Sequence, residues 1–142
     1  MALDSTPAYS GFHGGQIGQT YNEAAFRYFL AVDRWRAERS QRLVILVLAS
    51  VRQGPGRSAE LTQGTAATIF SGLATSVREV DFVGWYHEGR VAGAVLAQGS
   101  GALDERGTIT KRIVATLKKS LPADCVENLQ VRVVRLGRRA AC

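Results

Sequence analysis

The sequence has few cysteines and no long hydrophobic run. Cys125 and Cys142 are too few for a disulfide framework, and no histidine or cysteine lies at zinc-ligand spacing around them. The longest apolar run, Leu43 to Ala49, is far shorter than the roughly 20 residues of a membrane-spanning helix. The first residues have neither the basic nor the apolar region of a signal peptide. We therefore expect a cytoplasmic protein with no membrane span, no metal and no cofactor.

Length and composition are typical of one soluble globular domain. The chain has 142 residues, of which 46% are hydrophobic and 21% charged, which is enough for a hydrophobic core. Residues 1–19 contain a proline and a stretch rich in glycine and serine, so we predict an irregular lead-in there. Residues 20–142 are then expected to form a single domain.

The net charge of +6 raises the question of an anionic partner. Arginine supplies most of it, in an early and a late cluster: Arg27, Arg34, Arg36, Arg39, Arg42, Arg132, Arg135, Arg138 and Arg139. No zinc finger or RNA-recognition aromatic signature accompanies these arginines. We favour a solvated basic face, and a module that binds RNA or another polyanion remains an alternative.

Hydrophobic periodicity predicts an α+β order of elements. Thr20 and Glu23 have capping-box spacing before a helix that runs to about Ser40. The other predicted elements are a buried strand Leu43–Val51, a helix from Ser58 to about Val77, hairpin strands Phe82–Tyr86 and Val91–Ala97, a helix from Ile109 to Leu121, and a strand Leu129–Leu136. This βαββαβ core predicts a ferredoxin-like four-stranded antiparallel sheet with an extra N-terminal helix. That helix either covers part of the second sheet face or extends the helical layer.

Three segments resemble the GGDEF (diguanylate cyclase) domain, a relative of the nucleotidyl cyclase fold. They are the opening helix and first strand (Asn22–Phe26 and Arg36–Leu48), the approach to the signature hairpin (Val77–Tyr86) and the following helix (Ile109–Leu117). The resemblance covers about residues 20 to 136. Active members of this family join two GTP molecules with divalent metal held by carboxylates.

The resemblance implies that this chemistry is lost. It aligns Ala49 and Val51 with positions where the family has acids at the end of the first strand. It aligns the signature turn with His87, Glu88, Gly89 and Arg90. Glu88 falls on a glycine position, where its side chain is expected to obstruct the guanine site. The implied function is a catalytically inactive regulatory or interaction module in bacterial signalling, whose partner is a second copy or another signalling protein. Residual nucleotide turnover is the least supported alternative.

The resemblance also implies a second candidate function, a cyclic di-GMP receptor. Arg78 and Asp81 match the R-x-x-D motif of the family's inhibitory site, and Arg112 matches its second arginine. Guanidinium groups can make paired hydrogen bonds to phosphate or guanine, and a carboxylate can accept from guanine N–H groups. The plainer interpretation is an ion pair or turn contact between Arg78 and Asp81.

Three conspicuous side chains are interpreted as having no catalytic or ligand-binding role. His87 has no serine or cysteine nucleophile placed with it in sequence, so we interpret it as a solvated turn residue. Trp35 and Trp85 lie within predicted elements and are interpreted as packing residues.

Overall fold

The computed structural model describes residues 20–40, 42–76, 80–98 and 108–136. Their helices and strands are, in chain order, β1 (Thr20–Tyr21), α1 (Glu23–Ser40), β2 (Leu43–Gly54), β3 (Arg57–Ser58), α2 (Gln63–Ser76), β4 (Val80–His87), β5 (Val91–Gln98), α3 (Thr108–Ser120), α4 (Ala123–Glu127) and β6 (Leu129–Leu136). None of the helices within these ranges is both long and apolar enough to span a membrane. The predicted lead-in, residues 1–19, lies outside the described residues.

The strands form one sheet with the order β1-β4-β5-β2-β3, and β6 pairs with the other side of β2. The antiparallel core β4-β5-β2-β6 confirms the predicted ferredoxin-like plan. The predicted strand count was too low, because β1 and β3 extend the sheet to six strands. β1 pairs parallel to β4, so the sheet is not wholly antiparallel.

The larger core lies between one face of the sheet and the helices α2 and α3. Their apolar stripes meet inward-facing residues of the strands in a cluster that includes Ile69, Leu73, Ile113 and Leu117. Phe70 and Trp85 make an edge-to-face contact with ring centroids 5.0 Å apart. Trp85 is therefore a packing residue, as predicted.

The leading helix α1 covers part of the opposite face of the sheet. Phe26 is fully buried at the point where Gly84 of β4 and Gly93 of β5 are cross-strand partners. A Cβ atom at Gly93 would lie only 2.7 Å from Phe26 Cζ, and one at Gly84 would lie 2.7 Å from the Tyr21 carbonyl oxygen. This glycine pair lets α1 lie close to the sheet and so fixes the position of its N-terminus.

Thr20 contributes an unsatisfied polar group to this part of the fold. Its side chain is fully buried, and within the described ranges its Oγ1 has no hydrogen-bond partner. We expect Thr20→Val to raise the free energy of unfolding by about 1 kcal/mol, because it removes an unpaired buried hydroxyl at nearly constant shape. Urea denaturation measures the change.

The matched control for Thr20→Val is Thr62→Val. The Thr62 hydroxyl accepts a hydrogen bond from Thr65 N at 3.1 Å at the start of α2, so the same substitution should cost about 1 kcal/mol there. A Thr20→Val variant less stable than the parent chain would show that the hydroxyl is stabilised by a partner.

Candidate functional site

The turn between β4 and β5 is the structural element on which the sequence interpretation depends. It joins His87, the last residue of β4, to Val91, the first residue of β5, as the hairpin prediction required. Arg90 N donates to the His87 carbonyl at 2.9 Å and closes the turn. Gly89 has a φ of 78°, a left-handed conformation that glycine adopts without a Cβ penalty.

Glu23 and Glu88 tie this turn to the first residue of α1. Glu88 N donates to Glu23 Oε1 at 2.7 Å, and Glu23 N donates to Glu88 Oε1 at 3.0 Å. We call these two hydrogen bonds the Glu23–Glu88 pair. The Glu88 carboxylate satisfies an N–H group that the helix itself leaves free, at the helix end where negative charge is favoured.

The predicted capping box at Thr20 was therefore wrong. Thr20 lies in β1, and the helix is capped by Asn22, whose Oδ1 accepts from Ala25 N at 2.9 Å. The pairing of β1 with β4 delays the start of the helix. The Glu23 carboxylate then accepts from the backbone of the turn rather than from the backbone at Thr20.

Arg27 fastens the last residues of β4 to the same helix. Its Nε donates to the Tyr86 carbonyl at 2.9 Å, and its guanidinium lies over the Tyr86 ring, 4.3 Å from the centroid. A second guanidinium nitrogen lies 3.0 Å from His87 Nδ1. Because a guanidinium can only donate, Nδ1 is the acceptor in this contact. His87 is exposed, as predicted, but it has a partner that sequence reasoning missed.

The other side of the turn is held by the segment before α2. Arg90 donates from its guanidinium to the Ser58 carbonyl at 2.7 Å, and Leu61 N donates to the Gly89 carbonyl at 2.8 Å. The turn is thus fixed from both sides by backbone and side-chain hydrogen bonds.

Apolar side chains occupy the neighbouring end of β2. Ala49 pairs with Ala92 of β5, close to the turn, and its side chain is fully buried in the larger core. Val51 is also buried, with 8% of its surface exposed. In the part of the chain that the structure describes, no three His, Cys, Asp or Glu side chains lie together in a way that could hold a metal ion.

Comparison with known proteins identifies the fold. No protein-family model and no curated protein matches the sequence. The chain is similar to a DGC protein from Thermotoga maritima, at 12% identity over 84% of this chain and 82% of that one, with a TM-score of 0.59. It has the GGDEF fold. It is also similar to the GGDEF domain of DgcB from Caulobacter crescentus in complex with c-di-GMP, at 12% identity over 95% and 76% of the two chains, with a TM-score of 0.59.

A third structure with the GGDEF fold includes a partner protein. It is the diguanylate cyclase SiaD from Pseudomonas aeruginosa in complex with its activator SiaC. This chain matches it at 15% identity over 82% of its own length and 46% of that chain, with a TM-score of 0.57. At such identities the similarity establishes the GGDEF fold alone.

Two of the three proposed ligand residues fall within the described part of the chain. Arg78 lies outside the described residues. Asp81 is exposed near the start of β4, and Arg112 is exposed on α3. Within the described ranges no hydrogen bond or ion pair joins Asp81 to Arg112, and Asp81 instead lies beside the Asp33 carboxyl of α1. The site of Arg78, Asp81 and Arg112 therefore stays a prediction.

The carboxyl groups of Asp33 in α1 and Asp81 in β4 lie next to each other. Partial burial raises the pKa of Asp33 above its usual 3.8, and the neighbouring Asp81 raises it further through its charge and a hydrogen bond. Arg36 and Arg42 oppose the shift. Because folding raises the pKa of Asp33, the protonated Asp33 carboxyl contributes to the stability of the folded protein. This contribution is fully present below pH 3.8 and is lost as the pH rises through the raised pKa.

We therefore expect Asp33→Asn to stabilise the protein near neutral pH. The gain should be below about 1 kcal/mol, since solvent screens partly exposed charges. It should shrink as the pH falls through the raised pKa of Asp33 towards 3.8, where the native carboxyl is protonated as well. Urea denaturation at both pH values measures it, with Glu60→Gln as an exposed control. An Asp33→Asn variant that is less stable near neutral pH would contradict the carboxyl contact.

Proposed function

We propose that this chain is a catalytically inactive GGDEF-like domain that acts as a regulatory or interaction module in bacterial signalling. One observation carries the proposal. The single carboxylate of the signature-like turn, Glu88, accepts a hydrogen bond from the N-terminus of α1. A carboxylate used as a helix cap in this way is not directed at a metal–triphosphate complex.

The chemistry of phosphoryl transfer supports the proposal. Divalent metal must neutralise the triphosphate and activate the attacking hydroxyl, and it requires hard oxygen ligands, chiefly carboxylates. At the positions where the resemblance implies acids, this chain has the buried apolar residues Ala49 and Val51. Arg90 adds positive charge to the turn, and its guanidinium is bonded to the Ser58 carbonyl.

A turnover assay tests the proposal. Incubation of the full chain with GTP and either magnesium or manganese should yield no cyclic di-GMP above a protein-free background, measured by chromatography and mass spectrometry. An active diguanylate cyclase run in parallel shows that the assay works. Product that scales with protein concentration would refute the proposal.

The second candidate function is a cyclic di-GMP receptor. Two of its three candidate residues, Asp81 and Arg112, are exposed and accessible to a ligand. Asp33 beside Asp81 works against it, because a second carboxyl group repels phosphate unless it is protonated or neutralised by Arg36 and Arg42. For this reason the receptor is the alternative and not the main proposal.

Calorimetric titration with cyclic di-GMP tests the receptor function. A receptor should bind at about micromolar Kd or tighter, and Arg78→Ala should abolish the heat of binding. Arg57→Ala, an exposed arginine in the β2–β3 hairpin, is the matched control and should bind normally. No heat at high ligand concentration would exclude the receptor function.

A basic module for RNA or another polyanion remains the third candidate, supported only by the net charge of +6. Its affinity should fall steeply with added salt, because such binding releases counterions.

A further inference from the structure

The two faces of the sheet are covered unequally. Helices α2 and α3 both pack on one face, and in the described part of the chain α1 is the helix of the opposite face, where it lies mainly against β4. The strands β2 and β6 extend beyond α1. At about 4.8 Å per strand, two strands offer a width of roughly 10 Å, which is close to the diameter of an α-helix.

A groove of about 530 Å³ lies over these two strands beside α1. Its floor follows the strand register, in which Leu46 is opposite Val134 and Leu48 is opposite Arg132. Leu48 and Val134 are only half-buried. The floor is therefore apolar, and it ends at a basic residue.

Trp35 forms part of the wall of the groove. Its side chain is 58% exposed, so the interpretation of Trp35 as a packing residue was wrong. The residue lies about half a turn from the buried Phe26 around the helix, so its side chain is not packed between α1 and the sheet. Arg39 lies over its ring at 4.8 Å. An exposed tryptophan beside an apolar floor is typical of a residue that anchors a protein interface.

The rim of the groove is basic. Arg34 and Arg132 are exposed in its lining. Among the lining residues that the structure describes, the one acid, Glu38, pairs with Arg34 at 3.4 Å in an exposed pair of little energetic weight. Among the described residues Arg132 forms no ion pair. The rim therefore presents uncompensated positive charge around an apolar floor.

We propose that this groove binds an acidic amphipathic helix of a partner protein, laid beside α1 over β2 and β6. The helix would bury its apolar face on Leu48 and Val134 and place its carboxylates against Arg34 and Arg132. This inference rests on the proposed function as an interaction module and names the surface and the partner chemistry.

The basic rim and the apolar floor of the groove favour an acidic amphipathic helix over a second copy of the chain or a nucleic acid. A second copy of the chain also carries a net charge of +6, so charge repulsion disfavours its approach to the basic rim. A nucleic acid would satisfy the arginines but would leave the aliphatic floor without apolar contacts. An acidic helix with an apolar face complements both.

A peptide selection tests the proposal. Random peptides of about 16 residues, long enough for four helical turns, are displayed on phage and selected on the full chain. We expect enriched peptides with excess aspartate and glutamate and with apolar residues at i, i+3, i+4 and i+7. The most enriched peptide sequence is then synthesised, and this peptide should gain a helical circular dichroism signal when it binds.

Matched variants locate the binding site. Trp35→Ala and Arg132→Glu should each raise the Kd of the synthetic peptide at least about tenfold. Tyr28→Ala replaces another exposed aromatic residue of α1, and Arg57→Glu reverses another exposed arginine; both lie outside the groove lining and should change the Kd by less than about twofold. Thermal unfolding confirms that all four variants are folded.

Several results would overturn the proposal: no enrichment, enrichment of basic or non-periodic peptides, or a Kd that does not depend on Trp35 and Arg132. Competition by oligouridine, or self-association lost in Trp35→Ala, would assign the groove to RNA or to a second copy. These failures are distinct from failure of the proposed function. Cyclic di-GMP synthesis would refute inactivity and leave the groove unaffected, whereas an absence of selected peptides would refute only the groove.

Discussion

Replacing Gly93 by alanine is expected to lower the free energy of unfolding by about 1–3 kcal/mol, the usual cost of an overpacked core. The new Cβ would lie 2.7 Å from Phe26 Cζ and 2.9 Å from its Cε2. Phe26 is fully buried between α1 and the sheet, so its ring has no solvent into which it can move. Relief requires α1 to shift, which would also strain the Glu23–Glu88 pair. Urea denaturation measures the loss.

Two further variants show whether the loss of stability in Gly93→Ala comes from the clash with Phe26. Gly54→Ala, also in a strand, places its Cβ in open space and should leave stability within about 0.5 kcal/mol of the parent chain. Phe26→Leu in the Gly93→Ala background should cost less than it costs alone, because the smaller side chain relieves the clash. A Gly93→Ala variant as stable as Gly54→Ala would show that α1 does not lie so close to the sheet.

The Glu23–Glu88 pair gives the second large effect. We expect Glu88→Ala to lower the free energy of unfolding by about 1–2 kcal/mol, as for loss of a helix cap, because Glu23 N is left without its acceptor. Glu88→Gln keeps an acceptor oxygen and loses only the charge, so its cost should be a few tenths of a kcal/mol. Thermal and urea denaturation of the two variants measure this difference.

The control for the pair is Glu60→Ala, an exposed glutamate between β3 and α2. It should change stability by less than about 0.5 kcal/mol. Glu23→Ala should also lower stability, and the two losses should not add, because either substitution loosens the same turn. If Glu88→Ala were as stable as Glu60→Ala, Glu88 would be free to act elsewhere, and the main support for inactivity would be lost.

Periodic elements of the fold could be predicted from the sequence, and short ones could not. Apolar patterns long enough to identify occur in the helix α1, the strand β2, the hairpin and the strand β6. The two-residue strands β1 and β3 carry none, and they are defined only by partners elsewhere in the chain. The start of α2 was predicted too early, at Ser58, because Arg57–Ser58 pairs with β2 and the helix begins at Gln63.

The site was predictable in position and not in its contacts. Hairpin spacing located the turn, and the resemblance located the end of β2. The Glu23–Glu88 pair joins residues 65 positions apart, and no local pattern indicates such a contact. Trp35 is different, because its angular position relative to Phe26 on the helix could have indicated its exposure.

The most direct test of catalytic inactivity is a crystal structure of the chain with magnesium and a non-hydrolysable GTP analogue. We expect the Glu88 carboxylate to remain on Glu23 N, with no cation held by acidic side chains beside β2. A magnesium ion coordinated by Glu88 and by the phosphates of a nucleotide at the β4–β5 turn would contradict the proposed function.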